Sequence, residues 1–399
     1  MKMHPIKNTM ISGKMAFVCV VIFCATSVFT IAGSQISLGL ALAFWLIHII
    51  DTRNKQIFQS GLEIQITVFI AICLLSSAFS VRPMESFYNL RSVLLVCIIY
   101  VFCGTLTTEK RLFLAVDILL IFATLFSIVG IVLFVLSITE KSMATHSTSM
   151  TWGALSVFFM VMTIAQALFG FSRNRRILYS FALIPQAFNL MFSYVRGSYV
   201  GVLIAAVLLF WFKSKRLVFI LFICLLIFGL ILPSSVRKRA LSIFDLNVPS
   251  TRVRINQWRD SIDMFLDRPI LGFGWVDLGE IHRSYAPPDA DLSTDEYTIG
   301  HFHNNFVMIL MNFGILGLGS FLWLVFRVFQ IEFQVLKRVG SSAFYAIVLG
   351  SVGGLVGFLA NGMFDWLFGD AEVATMLWIS VGFVLSARII SRNQINAVG

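Results

Sequence analysis

The chain has 399 residues, of which 58% are hydrophobic and 13% are charged. A soluble protein of this length could not bury so much apolar surface, so the composition excludes a soluble enzyme and indicates a polytopic membrane protein. The formal net charge of +10 does not by itself indicate a nucleic-acid partner, because basic residues that set membrane topology contribute to it. All six cysteines fall inside apolar runs, where we interpret them as small hydrophobic residues and not as disulfide or metal ligands.

Apolar runs that are long enough to cross a membrane recur along the chain. There are twelve, at about residues 15–32, 35–50, 62–80, 92–106, 112–138, 150–170, 177–194, 198–212, 217–233, 303–326, 342–363 and 372–388. The first follows a short basic segment, but it is long and lacks a convincing cleavage site, so we interpret it as a retained span. The sequence therefore predicts an all-α polytopic membrane protein with about twelve transmembrane helices.

Basic residues are distributed unequally between the two sides that these spans define. Eighteen lie on the side of the N-terminus, and four lie in the short loops opposite: Arg82, Arg91, Lys141 and Arg196. By the positive-inside rule, both termini are predicted to be cytoplasmic. Asp117 is the one acidic residue that this assignment places well inside a span.

Arg196 lies at a predicted outer turn where two spans are joined by almost no loop. The turn reads FSYVRGSY over residues 192–199. A guanidinium at the edge of a membrane is costly to leave unpaired and usually functional, and Gly197 would let a ligand approach the backbone. Two structural alternatives stay open, since Arg196 could reach lipid headgroups or pair with an acid such as Asp365 or Asp370.

The longest outer segment, residues 234–302, carries eight basic and ten acidic residues. It is therefore a mixed polar domain and not a basic arm for nucleic acid. Within it, one helix face is predicted to carry Ile255, Trp258, Ile262, Phe265 and Leu266. We expect Ser250 or Thr251 to cap this helix, Pro269 to end it, and its apolar face to rest on the membrane interface or on the tops of the spans.

This segment divides the chain into three predicted parts. Residues 1–233 would form a bundle of about nine spans, residues 234–302 a large helical loop domain, and residues 303–399 about three further spans. The loop also contains Gly272-Phe-Gly-Trp275, which predicts a tight turn.

Arg254 and Trp258 form an Arg-x-x-x-Trp pattern at the start of the predicted loop helix. An arginine near a helix N-terminus can join backbone N–H groups in holding a diphosphate. Arg252 could do the same. The alternative for both arginines is a solvated basic face.

His303 begins the most informative stretch of the chain, IGHFHNNFVMILMNFGILGLG over residues 299–319. An imidazole where a polar loop meets a membrane helix can exchange protons near neutral pH. The structural alternative is a helix N-terminus capped by Asn304 or Asn305, with glycines that permit close packing. His301 and His303 could suggest a metal, but the sequence shows no third ligand at a recognisable spacing.

Acidic residues gather at the outer turn between the last two spans, namely Asp365, Asp370 and Glu372. They could orient His303, pair with Arg196 or cap helices, and capping is the default interpretation.

Together these motifs resemble the O-antigen ligase and polymerase superfamily, whose members join lipid-diphosphate-linked glycans to acceptors. The arginine–glycine turn at Arg196, the loop signature at Arg254 and the His-Asn pattern at His303 stand in the family's order on one side of the membrane. The resemblance covers about Arg196 to Glu372, while the first half matches in hydropathy and span count alone. Tyr199 stands where many relatives have tryptophan.

The resemblance implies an O-antigen ligase of the bacterial inner membrane, which transfers glycan from undecaprenyl diphosphate to lipid A core on the periplasmic face. It implies that Arg196 and Arg254 bind the diphosphate and that His303 accepts the acceptor's proton, with Arg252, Asn304 and His301 as further substrate contacts. Displacement would invert the anomeric carbon. Arginines can stabilise a leaving diphosphate as a divalent ion does elsewhere, so no metal or other cofactor is expected. The expected partners are the lipid-linked donor, the lipid A core acceptor and membrane lipids, and not nucleic acid.

Three other functions are compatible with parts of the pattern. An O-antigen polymerase uses the same donor with a second lipid-linked glycan as acceptor, and a protein O-oligosaccharyltransferase differs again in acceptor. A transporter or flippase would also show about twelve spans. Transporters usually carry charged or broken helices at mid-membrane, whereas the polar residues here gather at the outer face, which disfavours transport.

Overall fold

The structure is a computed structural model that describes residues 4–52, 60–144, 146, 148–231, 233–243, 245–288 and 290–398. Within these ranges every regular element is helical. Seven of the described helices are long and apolar enough to cross a membrane, and shorter apolar helices accompany them. The prediction of an all-helical polytopic membrane protein is confirmed. Lys2, Arg53 and Lys55, which contribute to the charge asymmetry, lie outside the described residues.

Helical backbone occupies each of the twelve predicted runs. The first half of the chain forms α1 (His4–Thr26), α2 (Ile31–Thr52), α3 (Glu63–Ala78), α4 (Pro83–Asn89), a 3-10 helix (Leu90–Cys97), α5 (Ile98–Thr105), α6 (Glu109–Val135) and α7 (Ser149–Phe169). The second half forms α8 (Arg173–Ser193), α9 (Arg196–Lys213), α10 (Lys215–Ile231), α11 (Ser234–Leu241), α12 (Pro249–Asp267), α13 (Gly279–Arg283), α14 (Asp295–Thr298), α15 (Asn305–Val339), α16 (Tyr345–Asn361) and α17 (Ala371–Val398). The predicted fourth span begins earlier than expected, at Pro83, and runs to Thr105.

Small residues on α16 set the spacing of the central helices. A methyl group added at Gly353 would lie 2.8 Å from Val161 of α7, and one added at Gly357 would lie 2.6 Å from Val157. Glycine at these positions therefore lets the two backbones approach, as is common between membrane helices. α9 packs into the same contact, where Gly201 faces the Gly357 carbonyl. This packing fixes the N-terminus of α9, which carries Arg196, beside the C-terminus of α16.

α15 is longer than the predicted span 303–326 and is broken at Gly314. The backbone there has φ 66° and ψ −166°, a conformation open essentially to glycine alone. The chain from 269 to 276 pairs with this break. Phe273 N–H donates to the Met311 carbonyl at 2.8 Å, and Ile315 N–H donates to the Pro269 carbonyl at 2.8 Å. The residues predicted as a tight turn, Gly272 to Trp275, thus belong to a segment that pairs with the backbone groups of α15 at its break. These groups would otherwise have no hydrogen-bond partner.

Hydroxyl groups from the N-terminal half of the chain complete this pairing. Ser76 donates to the carbonyls of Leu271 and Asn312, and Ser80 donates to that of Phe273 at 2.7 Å. Ser86 accepts from Trp275 N–H at 2.8 Å. The 269–276 segment is therefore fixed between α3, α4 and the break in α15.

The predicted loop helix forms as α12, but its cap and its buried face differ from the prediction. No side chain caps the helix, and Pro249 occupies its first turn. The residues that α12 buries are Gln257, Asp260, Ser261 and Met264. Ile262 is 58% exposed and Leu266 67% exposed. Trp258 and Phe265 of the predicted apolar face instead pack against a cluster that includes Met308 and Met311 at the top of α15. The face is therefore divided, and its exposed residues keep the membrane interface as their expected contact.

Besides Asp117, which the sequence places inside a span, a second acidic group lies inside the helical bundle. Asp117 accepts two hydrogen bonds from Arg175, at 2.7 and 2.6 Å, and a third from the Tyr179 hydroxyl. Glu332 lies in the unpredicted second half of α15, fully buried, with one oxygen accepting from Ser351 at 2.7 Å. The predicted spans 303–326 and 342–363 leave this run between them as a cytoplasmic segment, whereas in the structure it is helical.

Candidate active site

His303 is the centre of a buried polar site at the end of the bundle that carries α11 to α14. Its side chain is 7% exposed, and its Nδ1 lies 3.1 Å from Oδ1 of Asp365. Its backbone has φ 47°, the left-handed conformation that non-glycine residues rarely adopt. The neighbouring Phe302 is fully buried, and its carbonyl accepts a 2.8 Å hydrogen bond from the indole of Trp258. Trp258 therefore holds the turn that presents His303.

The two asparagines after His303 position Asp365 opposite the imidazole. Asn304 caps α15, because its side-chain oxygen accepts from the N–H groups of Phe306 and Val307, at 2.9 and 3.2 Å. Asn305 accepts from the N–H groups of Leu367 and Phe368, at 2.7 and 2.9 Å. The loop between α16 and α17 is thereby tied to the start of α15.

The electrostatics of the pair determine which nitrogen of His303 carries a proton. Burial alone would raise the pKa of Asp365, but the hydrogen bond and charge of His303, with contributions from His301 and the Trp366 N–H, lower that pKa below its ordinary value. The carboxylate is therefore ionised near neutral pH and can only accept a hydrogen bond. Nδ1 must donate to it, so whenever the ring is in its neutral form the lone pair is on Nε2.

His301 stacks edge-on against His303, with 4.5 Å between the ring centroids. Burial, followed by the neighbouring His303, lowers the pKa of His301 to about 4, against the opposing charges of Asp365 and Asp277. His301 is therefore neutral at physiological pH and can offer hydrogen bonds without charge.

Arg196 is 9% exposed and reaches into the outer segment. It donates to the Ser242 carbonyl at 2.7 Å and to the Ser250 hydroxyl at 2.9 Å. Neither structural alternative applies, since this geometry is not that of a side chain extended to headgroups, and none of the described acidic residues forms an ion pair with it. Asp370 caps α17 instead, by accepting from Glu372 N–H at 3.0 Å.

Arg254 is half-buried on α12, and its Nε has no hydrogen-bond partner among the described residues. Burial lowers the pKa of Arg254, the positive charge of Arg239 lowers it further, and Asp365 opposes both. Arg254 therefore lies within the electrostatic reach of the His303–Asp365 pair. Arg252 is exposed, which agrees with the alternative that it is a solvated basic residue.

Arg239 joins this group, although the sequence analysis did not single it out. Its Nε donates to the Tyr194 carbonyl at 3.0 Å, two residues before Arg196. Val236 is the residue that α11 buries, and Arg239 follows it three positions later, at a spacing that places both on one helix face.

Three groups at the site have the spacing of a possible metal site. The ligand atoms of His301, His303 and Asp365 lie within 4.8 Å of one another. Asp365 thus supplies the third group that the sequence did not reveal. The positive charge of Arg254 acts on the same carboxylate and opposes a cation there.

The fold and the site define a multi-pass membrane protein whose arginines and His–Asp pair converge at one end of the bundle. Residues 181–322 match the family model described as O-Antigen ligase. The matched segment contains Arg196, Arg254 and His303, and Asp365 lies beyond it. No curated protein matches the chain. The resemblance to the O-antigen ligase and polymerase superfamily is therefore confirmed, on residues 181–322.

Proposed function

We propose that the protein is an O-antigen ligase of the bacterial inner membrane, which transfers glycan from undecaprenyl diphosphate to lipid A core oligosaccharide. The observation that supports this most directly is the proximity of an unpaired guanidinium, Arg254, to a buried His303–Asp365 pair. A diphosphate leaving group needs fixed positive charge, and a sugar hydroxyl that attacks needs a base.

In the proposed reaction, Arg196 and Arg254 bind the donor diphosphate and stabilise the charge that grows on it. Nε2 of His303 accepts the proton of the acceptor hydroxyl, and Asp365 stabilises the imidazolium that forms. Direct displacement inverts the anomeric carbon. His301 would hydrogen-bond the acceptor as a neutral group, and Arg252 would add a weaker contact at the rim. Asn304 would act on the substrate indirectly, because its side chain is occupied by the cap of α15.

We propose that the reaction needs no metal ion. The arginines supply the positive charge, and Nδ1 of His303 is already engaged by Asp365. Transfer by the purified protein should be unchanged by EDTA. Loss of transfer that added Mg²⁺ or Zn²⁺ restores would contradict this.

We propose that the site faces the periplasm, with both termini cytoplasmic and residues 234–302 as a domain between two sets of spans. The support is the excess of basic residues on the side of the N-terminus. Alkaline phosphatase fused after Pro287 should be active, and a fusion after Lys213 inactive. The reverse pattern would overturn the orientation and the periplasmic chemistry with it.

The glycan phenotype of a deletion strain distinguishes the ligase from the polymerase and from a protein glycosyltransferase. Deletion of a ligase should leave full-length chains on the lipid carrier and none on lipid A core. Lipid A core that carries single repeat units would instead assign the protein as a polymerase. Normal lipopolysaccharide with unmodified glycoproteins would assign a protein acceptor.

Replacing Arg196 with lysine should abolish most transfer although the charge is kept. A guanidinium presents a planar fork that binds two oxygen atoms, and here it spans the Ser242 carbonyl and the Ser250 hydroxyl, whereas an ammonium is a point charge. The measurement is the transfer rate of purified protein whose thermal unfolding matches wild type. Arg252→Ala is the control, since Arg252 is exposed, and it should keep most activity. Wild-type rates for Arg196→Lys would remove this residue from the site.

A further inference from the structure

We propose that Arg239 is the third diphosphate ligand and that it stabilises the charge that appears on the leaving group. This inference rests on the proposed function and adds to it a residue outside the motifs that first indicated the family. It is carried by the position of α11, by the lack of acidic partners and by the charge balance of the reaction.

α11 is fixed over the turn between α8 and α9 by two reciprocal contacts. Arg196 donates to the carbonyl of Ser242, one residue beyond Leu241, the last residue of α11. Arg239, on α11, donates back to the carbonyl of Tyr194 at 3.0 Å. Val236 is 2% exposed and anchors the helix. The guanidinium of Arg239 is thus fixed at the same turn as that of Arg196, and Arg237 and Lys238 are exposed.

The three arginines repel one another, and none has an acidic partner. The charges of Arg239 and Arg254 both act on Arg196, and that of Arg239 acts on Arg254. Among the described residues, none of the three guanidiniums forms an ion pair. Asp365, whose charge acts on Arg254, accepts hydrogen bonds on its Oδ1 from His303 and from Trp366 N–H. Half-buried positive charges in this arrangement are costly without an anion between them, so the cluster is built for a multiply charged anion.

The charge of the diphosphate rises during the proposed transfer. The acceptor O–H bond breaks and its proton moves to Nε2 of His303, while the acceptor oxygen bonds to the anomeric carbon. The bond from that carbon to the diphosphate oxygen breaks, and its electron pair stays on the oxygen. A diphosphate diester with two negative charges thus becomes a monoester with a third. Arg239 would match this third charge, so it should affect turnover more than donor binding.

Two substitutions separate the charge of Arg239 from its contact with Tyr194. Arg239→Gln keeps a donor for the Tyr194 carbonyl and removes the charge, whereas Arg239→Lys keeps the charge. We expect kcat to fall about 10²-fold in Arg239→Gln, with a smaller change in KM for the donor, and to fall less in Arg239→Lys. Lys238→Gln, on the exposed face of the same helix, is the matched control and should keep wild-type rates.

A binding measurement with farnesyl diphosphate and farnesyl monophosphate tests the ligand directly. The wild-type protein should be protected from thermal unfolding more by the diphosphate, and Arg239→Gln should lose that preference. If the wild type shows no preference, the proposed function fails as well. If the wild type and Arg239→Gln prefer the diphosphate equally, or if Arg239→Lys is as slow as Arg239→Gln, Arg239 only caps α8 and the inference is overturned.

Discussion

Replacing His303 with alanine should lower the rate of glycan transfer about 10²–10⁴-fold, the usual contribution of a positioned general base. The expectation rests on the 3.1 Å contact between Nδ1 of His303 and Asp365, which leaves Nε2 as the proton acceptor. Asp365→Asn should also be strongly impaired, because an amide cannot stabilise the imidazolium and can hold the ring in the wrong tautomer. Rates should be measured with purified donor and acceptor at saturating concentrations, so that a loss of chemistry is separated from a loss of binding.

His301→Ala is the matched control for this prediction. His301 lies two residues away and touches the same ring, but its low pKa and lack of a carboxylate hydrogen bond make it a poor candidate for the base. It should be impaired less than His303→Ala. Equal losses in the two variants would indicate that the ring pair acts through packing, and wild-type rates in His303→Ala would remove the base from the mechanism.

The helical bundle could be predicted because the energetic cost of exposing polar backbone to lipid leaves few alternatives to apolar helices. Apolar run length did not predict the second half of α15, because Arg327 and Glu332 interrupt the apolar run there. In the structure both residues find a polar contact, since Arg327 donates to the Gly61 carbonyl at 3.2 Å and one oxygen of Glu332 accepts from Ser351. Such partners come from distant parts of the chain, so the local sequence does not reveal them.

The candidate site could be predicted only where its residues lie in local patterns. Arg196, Arg254 and His303 each stand in a motif, and the structure brings the three motifs to one end of the bundle. The pairing of His303 with Asp365 depends on how Asn305 ties the start of α15 to the loop before α17, a contact that sequence spacing does not encode. Arg239 was missed for a different reason, because it follows two other basic residues and was counted as part of a mixed polar segment.

Replacing Gly314 with alanine should destabilise the protein more than any other single methyl addition in α15. An added Cβ would overlap the carbonyl of Ile270 and approach Leu271 N within 2.6 Å, and the positive φ would strain any other residue. Backbone strain of this kind costs about 1–3 kcal/mol, and overpacking against a rigid backbone adds about 1–3 kcal/mol. The variant should unfold at lower temperature in detergent. It should also transfer glycan slowly, because displacement of the 269–276 segment would disturb the start of α15 that presents His303.

Gly319→Ala tests whether this effect comes from the break and not from the loss of any glycine in the helix. Gly319 lies five residues further along α15, has a helical backbone, and has no heavy atom within 4 Å of the added methyl group. Because alanine has the higher helix propensity by about 1 kcal/mol, Gly319→Ala should leave the unfolding temperature unchanged or raise it. Similar unfolding temperatures for Gly314→Ala and Gly319→Ala would mean that α15 is continuous through residue 314. The 269–276 segment would then lack the hydrogen-bond partners that hold it between α3 and α15. The start of α15, which follows His303, would then not be positioned by this segment.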